Sequence, residues 1–325
     1  MVGDTILIIG SSKESNKRCV VEQYDRIEDV IKDYGKDSDF AEAFKTIVKY
    51  RVDDVYLVNM KTITDFKDIL RQIEHSEFTY ICPISIMLRD SYQDSFNLLE
   101  SQSYVNQLSL ACYRNDSRII MTDNHASLYE DMDAFNADYR EQIANFATIR
   151  NKNRILENVI VVANNLKETK YGNIVLASSL SISEPNEYPF ILEDEAIFLF
   201  DFADMLPNLV YFKNNFRTGV TVENLVNLSS DNPNKSVLVM RIISLIIKEL
   251  HFEEYIGKQF RPYFLTKIKE KARKVFDSFV GYLIYGYDID DVEYVDDKSG
   301  AVNIVIRYTL YPLFTIESYT AEMRL

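Results

Sequence analysis

Short apolar, β-branched runs alternate with stretches of helical spacing through the first half of the chain, and no other feature constrains the fold as much. Thr5–Gly10 (TILIIG) is a continuous apolar run ending in glycine, the pattern of a strand buried on both faces. Ser11 and Ser12 open a turn, and a second short run, Cys19–Val21, leads to Asp25. Asp25 is a candidate N-cap for a helix with Ile27, Val30, Ile31 and Tyr34 on one face and Gly35 as its stop. Ser38 caps the next helix, which carries Phe40, Ala43, Phe44, Ile47 and Val48. Asp54–Met60 reads as a strand, Thr64–Ile73 as a helix and Phe78–Ile84 as another strand. The pattern continues with a helical stretch from Ser91 to Tyr113, a strand at Arg118–Thr122, a helix from Asp131 to Arg150 and the apolar strand Val159–Ala163. Strands that alternate with helices in this way predict an α/β fold built on a parallel, doubly wound sheet.

Two polar breaks follow, Ser183–Pro189 (SEPNEYP) and Ser229–Asn234 (SSDNPN), the second separating Arg217–Leu228 from the C-terminal helices. They suggest an N-terminal region 1–183, a connecting region 184–235 and an α+β C-terminal module 236–325. No internal repeat or low-complexity linker is present. Val237–Leu250 is apolar on nearly every side, Arg241, Lys248 and Glu249 excepted, and predicts a buried helix. Phe264–Ile284 predicts a second helix, with Phe264, Leu265, Ile268, Ala272, Val275, Phe276, Phe279, Val280 and Leu283 on its core face. Lys267, Lys269, Lys271, Arg273 and Lys274 give that helix a cationic outer face. Asp288–Asp297 (DIDDVEYVDD) reads as a solvated acidic loop, because it lacks the turn glycine and closing glutamate of a calcium loop. A terminal strand pair is expected at Asn303–Tyr311 and Phe314–Leu325.

A net charge of −14 argues against a nucleic-acid-binding body, which needs a clustered basic face. Cys19, Cys82 and Cys112 are few and widely spaced, and read as reduced thiols, most of them buried. No apolar run reaches the ~18 residues of a membrane span and no leader pattern opens the chain, so a cytoplasmic site of synthesis is expected. Gly10-Ser11-Ser12-Lys13 invites a phosphate-loop reading but lacks the Gly-Lys-Ser/Thr ending. His75, His125 and His251 are far apart, none in a metal-ligand spacing, and no Gly-x-Ser-x-Gly elbow occurs. We therefore expect no catalytic centre, metal or cofactor.

The order of elements resembles the contractile phage tail sheath family. Ile6–Gly10, Ile27–Gly35 ending at Tyr-Gly, Phe40–Val48 and Val55–Val58 are similar to the family's opening, which Phe66–Ile84 continues. Late in the chain, Arg241 on its apolar helix, Ile256-Gly257-Lys258 and the following helix resemble the C-terminal block. Ala301–Tyr308 and Tyr311–Glu317 resemble the terminal strand pair. The match covers both ends of the chain and thins in the middle.

This resemblance implies a non-enzymatic structural subunit that stacks as hexameric rings around an inner tail tube. Its other neighbours would be baseplate and tail terminator proteins, with no membrane and no direct nucleic acid. It would be assembled in the host bacterial cytoplasm and located in the virion tail. Energy would be stored in assembly contacts and released when a strained, extended lattice shortens. Strand exchange between subunits is expected at Ile304, Ile306, Tyr308, Phe314, Ile316, Tyr319 and Met323, and the tube-facing set is Lys267, Lys269, Lys271, Arg273 and Lys274. Sheath subunits also carry an extended arm ahead of the core, whereas this chain enters its first core strand at Asp4 or Thr5. That departure makes a sheath-fold terminator, collar or baseplate ring protein the leading alternative, ahead of a nucleotide-dependent α/β enzyme.

Overall fold

The computed structural model describes residues 4–61, 63–74, 76, 78–84, 108, 111–112, 119–125, 158–167, 169–192, 197, 210–215, 219–223, 225, 236–250, 252–255, 258–296 and 302–313. Eight strands form one sheet: β1 (Ile6–Gly10), β2 (Glu22–Gln23), β3 (Val55–Asn59), β4 (Tyr80–Pro83), β5 (Ile119–His125), β6 (Val159–Asn164), β7 (Val210–Asn215) and β8 (Gly219–Glu223). Their order is β2-β3-β1-β4-β5-β6-β7-β8. From β3 to β7 all pairings are parallel, and β2 and β8 close the two edges antiparallel. All five residues of β1 are buried, as expected of a strand covered on both faces.

Helices α1 (Ile27–Tyr34), α2 (Asp39–Tyr50), α3 (Ile63–Glu74) and α4 (Gly172–Ile182) belong to this layer system. Ser38 caps α2 by accepting a hydrogen bond from the Ala41 amide at 3.1 Å. Arg26, and not Asp25, occupies the N-cap of α1, and it makes no side-chain cap bond. The expected run at Cys19–Val21 is displaced too, the strand forming at Glu22–Gln23. α4 is buried from Gly172 through Leu180 and packs against α2, β5 and β6.

Two helices and a hairpin complete the described structure: α5 (Val237–Leu250), α6 (Tyr263–Phe279), β9 (Ile284–Asp296) and β10 (Val302–Pro312). α6 stops five residues before the end predicted for it. Val280 leaves helical geometry, and Gly281 adopts φ 82°, a left-handed value that favours glycine. The Gly281 amide then donates to the Ile284 carbonyl at 2.8 Å, so a tight turn leads straight into β9.

The acidic stretch expected to be a loop is therefore a strand, and among the described residues β10 pairs with β9; the strand expected at 314–325 lies outside them. β10 pairs antiparallel with β9 from Val302↔Asp296 to Pro312↔Ile284. Register slips between Arg307↔Asp291 and Tyr308↔Ile289, leaving Asp290 as a bulge. That extra residue breaks the two-residue alternation and makes Asp290-Asp291 look like a loop. Around it the alternation holds: Tyr287, Ile289, Ile306, Tyr308 and Leu310 pack inward, while Asp288, Asp291 and Arg307 face solvent.

Among the described residues, two apolar clusters bear on α5. The larger covers one face of the sheet, with Ile6 and Ile8 of β1, and reaches Val237 and Leu238 at the start of α5. The second joins Ile242, Ile246 and Leu250 of α5 to Ala272, Phe276 and Phe279 of α6 and to the inner hairpin face. α5 is thus shared by both. The predicted helices at 91–113 and 131–150 lie almost wholly outside the described residues, and of the first only positions 108, 111 and 112 are seen, as helix.

Candidate assembly surface

Two cations on α5 tie it to the amino-terminal edge of the sheet. Arg241 is 3% exposed; its Nε donates to Asp4 Oδ2 at 2.9 Å, and its two Nη atoms donate to the carbonyls of Glu184 at 3.1 Å and Ser183 at 2.8 Å. The Tyr80 hydroxyl donates to the same Asp4 oxygen at 3.2 Å. Burial, aided by Asp4, drives the Tyr80 phenol well above its ordinary pKa, so it stays a donor. Seven residues on, two helical turns along the same face, Lys248 Nζ donates to Thr79 Oγ1 and to Thr5 Oγ1, the latter at 3.3 Å. Thr5 and Thr79 clasp each other where β1 and β4 begin, the Thr79 amide donating to Thr5 Oγ1 at 2.9 Å and the Thr5 amide to Thr79 Oγ1 at 3.2 Å.

At the opposite, carboxyl edge, where open α/β sheets hold ligands, asparagines bind main chain. Asn59 at the end of β3 accepts from the Ser12 amide at 2.8 Å and donates to the Lys17 carbonyl at 2.7 Å. Asn173 donates to the carbonyls of Pro83 and Met121, both at 3.0 Å. Asn165 makes a reciprocal pair with the amide and carbonyl of Phe212. The Gly10-Ser11-Ser12-Lys13 turn is filled rather than hollow: a Cβ on Gly10 would lie 2.8 Å from Ile84 and 3.0 Å from Phe40, and Ser12 Oγ donates to the Tyr34 carbonyl at 2.7 Å. A phosphate has no free Ser12 amide to meet there. No group of His, Cys, Asp and Glu able to hold a metal occurs among the described residues, and no described helix is long and apolar enough to cross a membrane.

The cationic surface predicted on α6 is present but divided. Phe264, Ile268, Ala272, Phe276 and Phe279 are buried. With that face fixed, steps of 100° place Lys267, Lys271 and Lys274 on one flank and Lys269 and Arg273 on the other, with Thr266, Glu270 and Asp277 outermost between them. Lys271 faces the short 3-10 turn Phe252–Tyr255, donating to Glu254 at 2.7 Å and lying 5.8 Å from the Phe252 ring centre. That hydrogen bond holds the Glu254 carboxyl below its usual pKa. Lys267 sits 5.1 Å from the centre of the Tyr263 ring. The other flank borders the hairpin, whose Tyr287 hydroxyl donates to Asp277 at 2.7 Å.

Ile304, Ile306 and Tyr308 are half-buried in β10, the last two packed on the second core. Phe314, Ile316, Tyr319 and Met323 lie outside the described residues. β9 and β10 form a two-stranded sheet of 13 and 11 residues, and among the described residues no third strand joins it. The sequence reading flagged Arg241 but missed Lys248 as its partner cation, although both stand out in an otherwise apolar helix. It also missed the asparagines, whose roles depend on distant main chain.

No protein-family model matches the sequence, and no curated protein does. Solved structures do match. The anti-feeding prophage helical sheath in its contracted state aligns with a TM-score of 0.65 and 8% identity, covering 100% of this chain and 94% of the other. The sheath tail protein of Desulfitobacterium hafniense aligns at 0.60 and 10% identity, covering 96% and 97%. The anti-feeding prophage baseplate in its contracted state aligns at 0.67 and 11% identity, covering 99% and 93%. The chain therefore has the fold of contractile tail sheath proteins.

Proposed function

We propose that the protein is a structural subunit of a contractile tail sheath, polymerising around an inner tube and contracting to drive that tube through an envelope. The observation that carries this reading is the end-to-end likeness to sheath structures, which takes in the eight-stranded core together with the C-terminal helices and hairpin. Association, not catalysis, is the work such a fold performs, with copies stacked as hexameric rings in the virion tail after assembly in a bacterial cytoplasm.

The hairpin supports strand exchange as the linkage. A two-stranded sheet is marginal alone, and an open edge offers a row of N–H and C=O groups to another chain. In this account Ile304, Ile306 and Tyr308 hold β10 in place while its backbone edge receives a strand, and Phe314, Ile316, Tyr319 and Met323 supply the strand given to a neighbour. Lys267, Lys269, Lys271, Arg273 and Lys274 face the tube. Each exposed charge pair contributes only ~0–1 kcal/mol, so a ring of them holds register and still releases on contraction.

The likeness to a baseplate structure supports a second reading, a sheath-fold ring at the baseplate or collar. Negative-stain electron microscopy of the purified protein at high concentration separates the two. Long hollow cylinders are expected of a sheath subunit; closed rings would favour the second reading, and dispersed monomers would overturn both.

A further inference from the structure

The last elements of the described structure carry opposite charge on opposite sides. Residues 258–279 hold seven Lys and Arg against two carboxylates, whereas residues 284–312 hold six carboxylates against two cations. Folding keeps them apart. The hairpin turns Tyr287 and Tyr308 onto Phe276 of α6, ring centres 5.1 Å apart in each case, so its other face points away from the helix. That outer face displays Asp288 and Asp291, with the bulged Asp290 also exposed and Glu293 beside them; Arg307 reaches Glu293 at 2.5 Å and Asp291 at 3.7 Å, the one cation in the row. On the far side of α6, Lys267 and Lys274 are exposed, as are Lys258 and Arg261 on the approach to the helix, whereas Arg273 is exposed on the flank that borders the hairpin.

From this we infer that the outer hairpin face of one copy docks on the exposed cationic side of α6 in a second copy. Two like faces repel, so a two-fold dimer through either is disfavoured. Unlike faces on opposite sides of one body meet head to tail, and such an interface repeats until it closes a ring or runs on as a filament. The rest of the chain is acidic overall and repels its copies over distance, which favours the approach of an acidic face to a cationic surface such as this one. This contact goes beyond strand exchange, which uses backbone edges, and it rests on the sheath reading only in needing copies side by side. This contact takes Lys267 and Lys274 out of the tube-facing set proposed above and leaves Lys269, Lys271 and Arg273 to it, so the test is run without a tube.

Two variants are compared with the parent by analytical ultracentrifugation at about 20 mM and about 0.5 M salt, concentrations between which screening of exposed charges changes strongly. The first carries Asp290→Lys, Asp291→Lys and Glu293→Lys with Arg307→Glu, which reverses the face while keeping the cross-strand pairs. The second carries Lys258→Glu, Lys267→Glu and Lys274→Glu. The parent is expected to self-associate at low salt and to weaken at least tenfold at high salt. Each folded variant alone loses at least tenfold in association, and an equimolar mixture of the two recovers it, because one variant's cationic hairpin now meets the other's acidic helix. Association of either variant at the parent's strength, or a mixture no stronger than its components, would overturn the inference. Cylinders or rings formed by a variant with parent-like association would retire this contact and leave the sheath reading standing.

Discussion

Arg241 shows how much one side chain can hold. Its guanidinium is buried, and it serves the Asp4 carboxylate and two carbonyls at the end of α4 and just beyond it. Burial alone would lower its pKa, but the Asp4 carboxylate beside it opposes that and the guanidinium keeps its charge. Removing one partner of such a pair strands the other, a loss of ~3–5 kcal/mol. Arg241→Met is expected to cost that much in urea unfolding, and adding Asp4→Leu should restore most of it. A loss under ~1 kcal/mol for the single variant would contradict the lock described here. Lys17 offers a milder, pH-dependent case. Its ammonium lies 2.7 Å from Asp33 and also bonds Glu22. The Lys17 hydrogen bond, helped by Tyr24, holds the Asp33 carboxyl below its ordinary pKa. A carboxyl lowered on folding contributes stability that is complete above its unfolded pKa, ~3.9, and is lost as pH falls through the lower folded value. Asp33→Asn should therefore destabilise at neutral pH and flatten the decline of stability below about pH 4, read as urea midpoints across that range. Parallel acid limbs in parent and variant would exclude this assignment.

At the level of elements, α6 and the hairpin depend on each other through Phe276. The ring is fully buried and touches Tyr287 of β9 and Tyr308 of β10. Phe276→Ala should cost ~3–5 kcal/mol, and hydrogen exchange is expected to show the loss first in β9 and β10, since a two-stranded sheet has little support of its own. Uniform loss across the eight-stranded sheet would argue against that local coupling. Legibility in the sequence followed the same divide between local and distant causes. β1, α2, β3 and α5 announced themselves through continuous apolar runs or helical spacing. α4 did not, because Ala177, Ser178 and Ser179 occupy its buried positions and small residues give no apolar period. β7 and β8 passed unread as well, their short runs broken by Lys213, Asn214 and Asn215. The bulge at Asp290 disguised β9 as a loop. The cationic residues of α6 were visible, but their division into two flanks needed the buried face to be known.

On the scale of the whole molecule, deletion of residues 314–325 is expected to abolish assembly and leave a folded protomer, judged by a native-like circular dichroism spectrum and thermal transition beside a loss of large particles. Unimpaired polymerisation of that truncation would refute strand donation from this segment. The doubly wound sheet and its C-terminal partner elements were foreseeable as classes; how they are joined was not, because the join relies on Asp4 and Arg241, 237 residues apart. That separation also sets an order of events in time. While the chain is being made, the first strand waits for its cation: at ~5–20 residues per second, tens of seconds pass between synthesis of Asp4 and of Arg241. Until then a carboxylate destined for the interior stays in water, and the amino-terminal edge of the sheet is left ajar. Docking of α5 is accordingly the late step that shuts the protomer, so a nascent chain cannot offer a finished subunit to a growing polymer before its last third has left the ribosome.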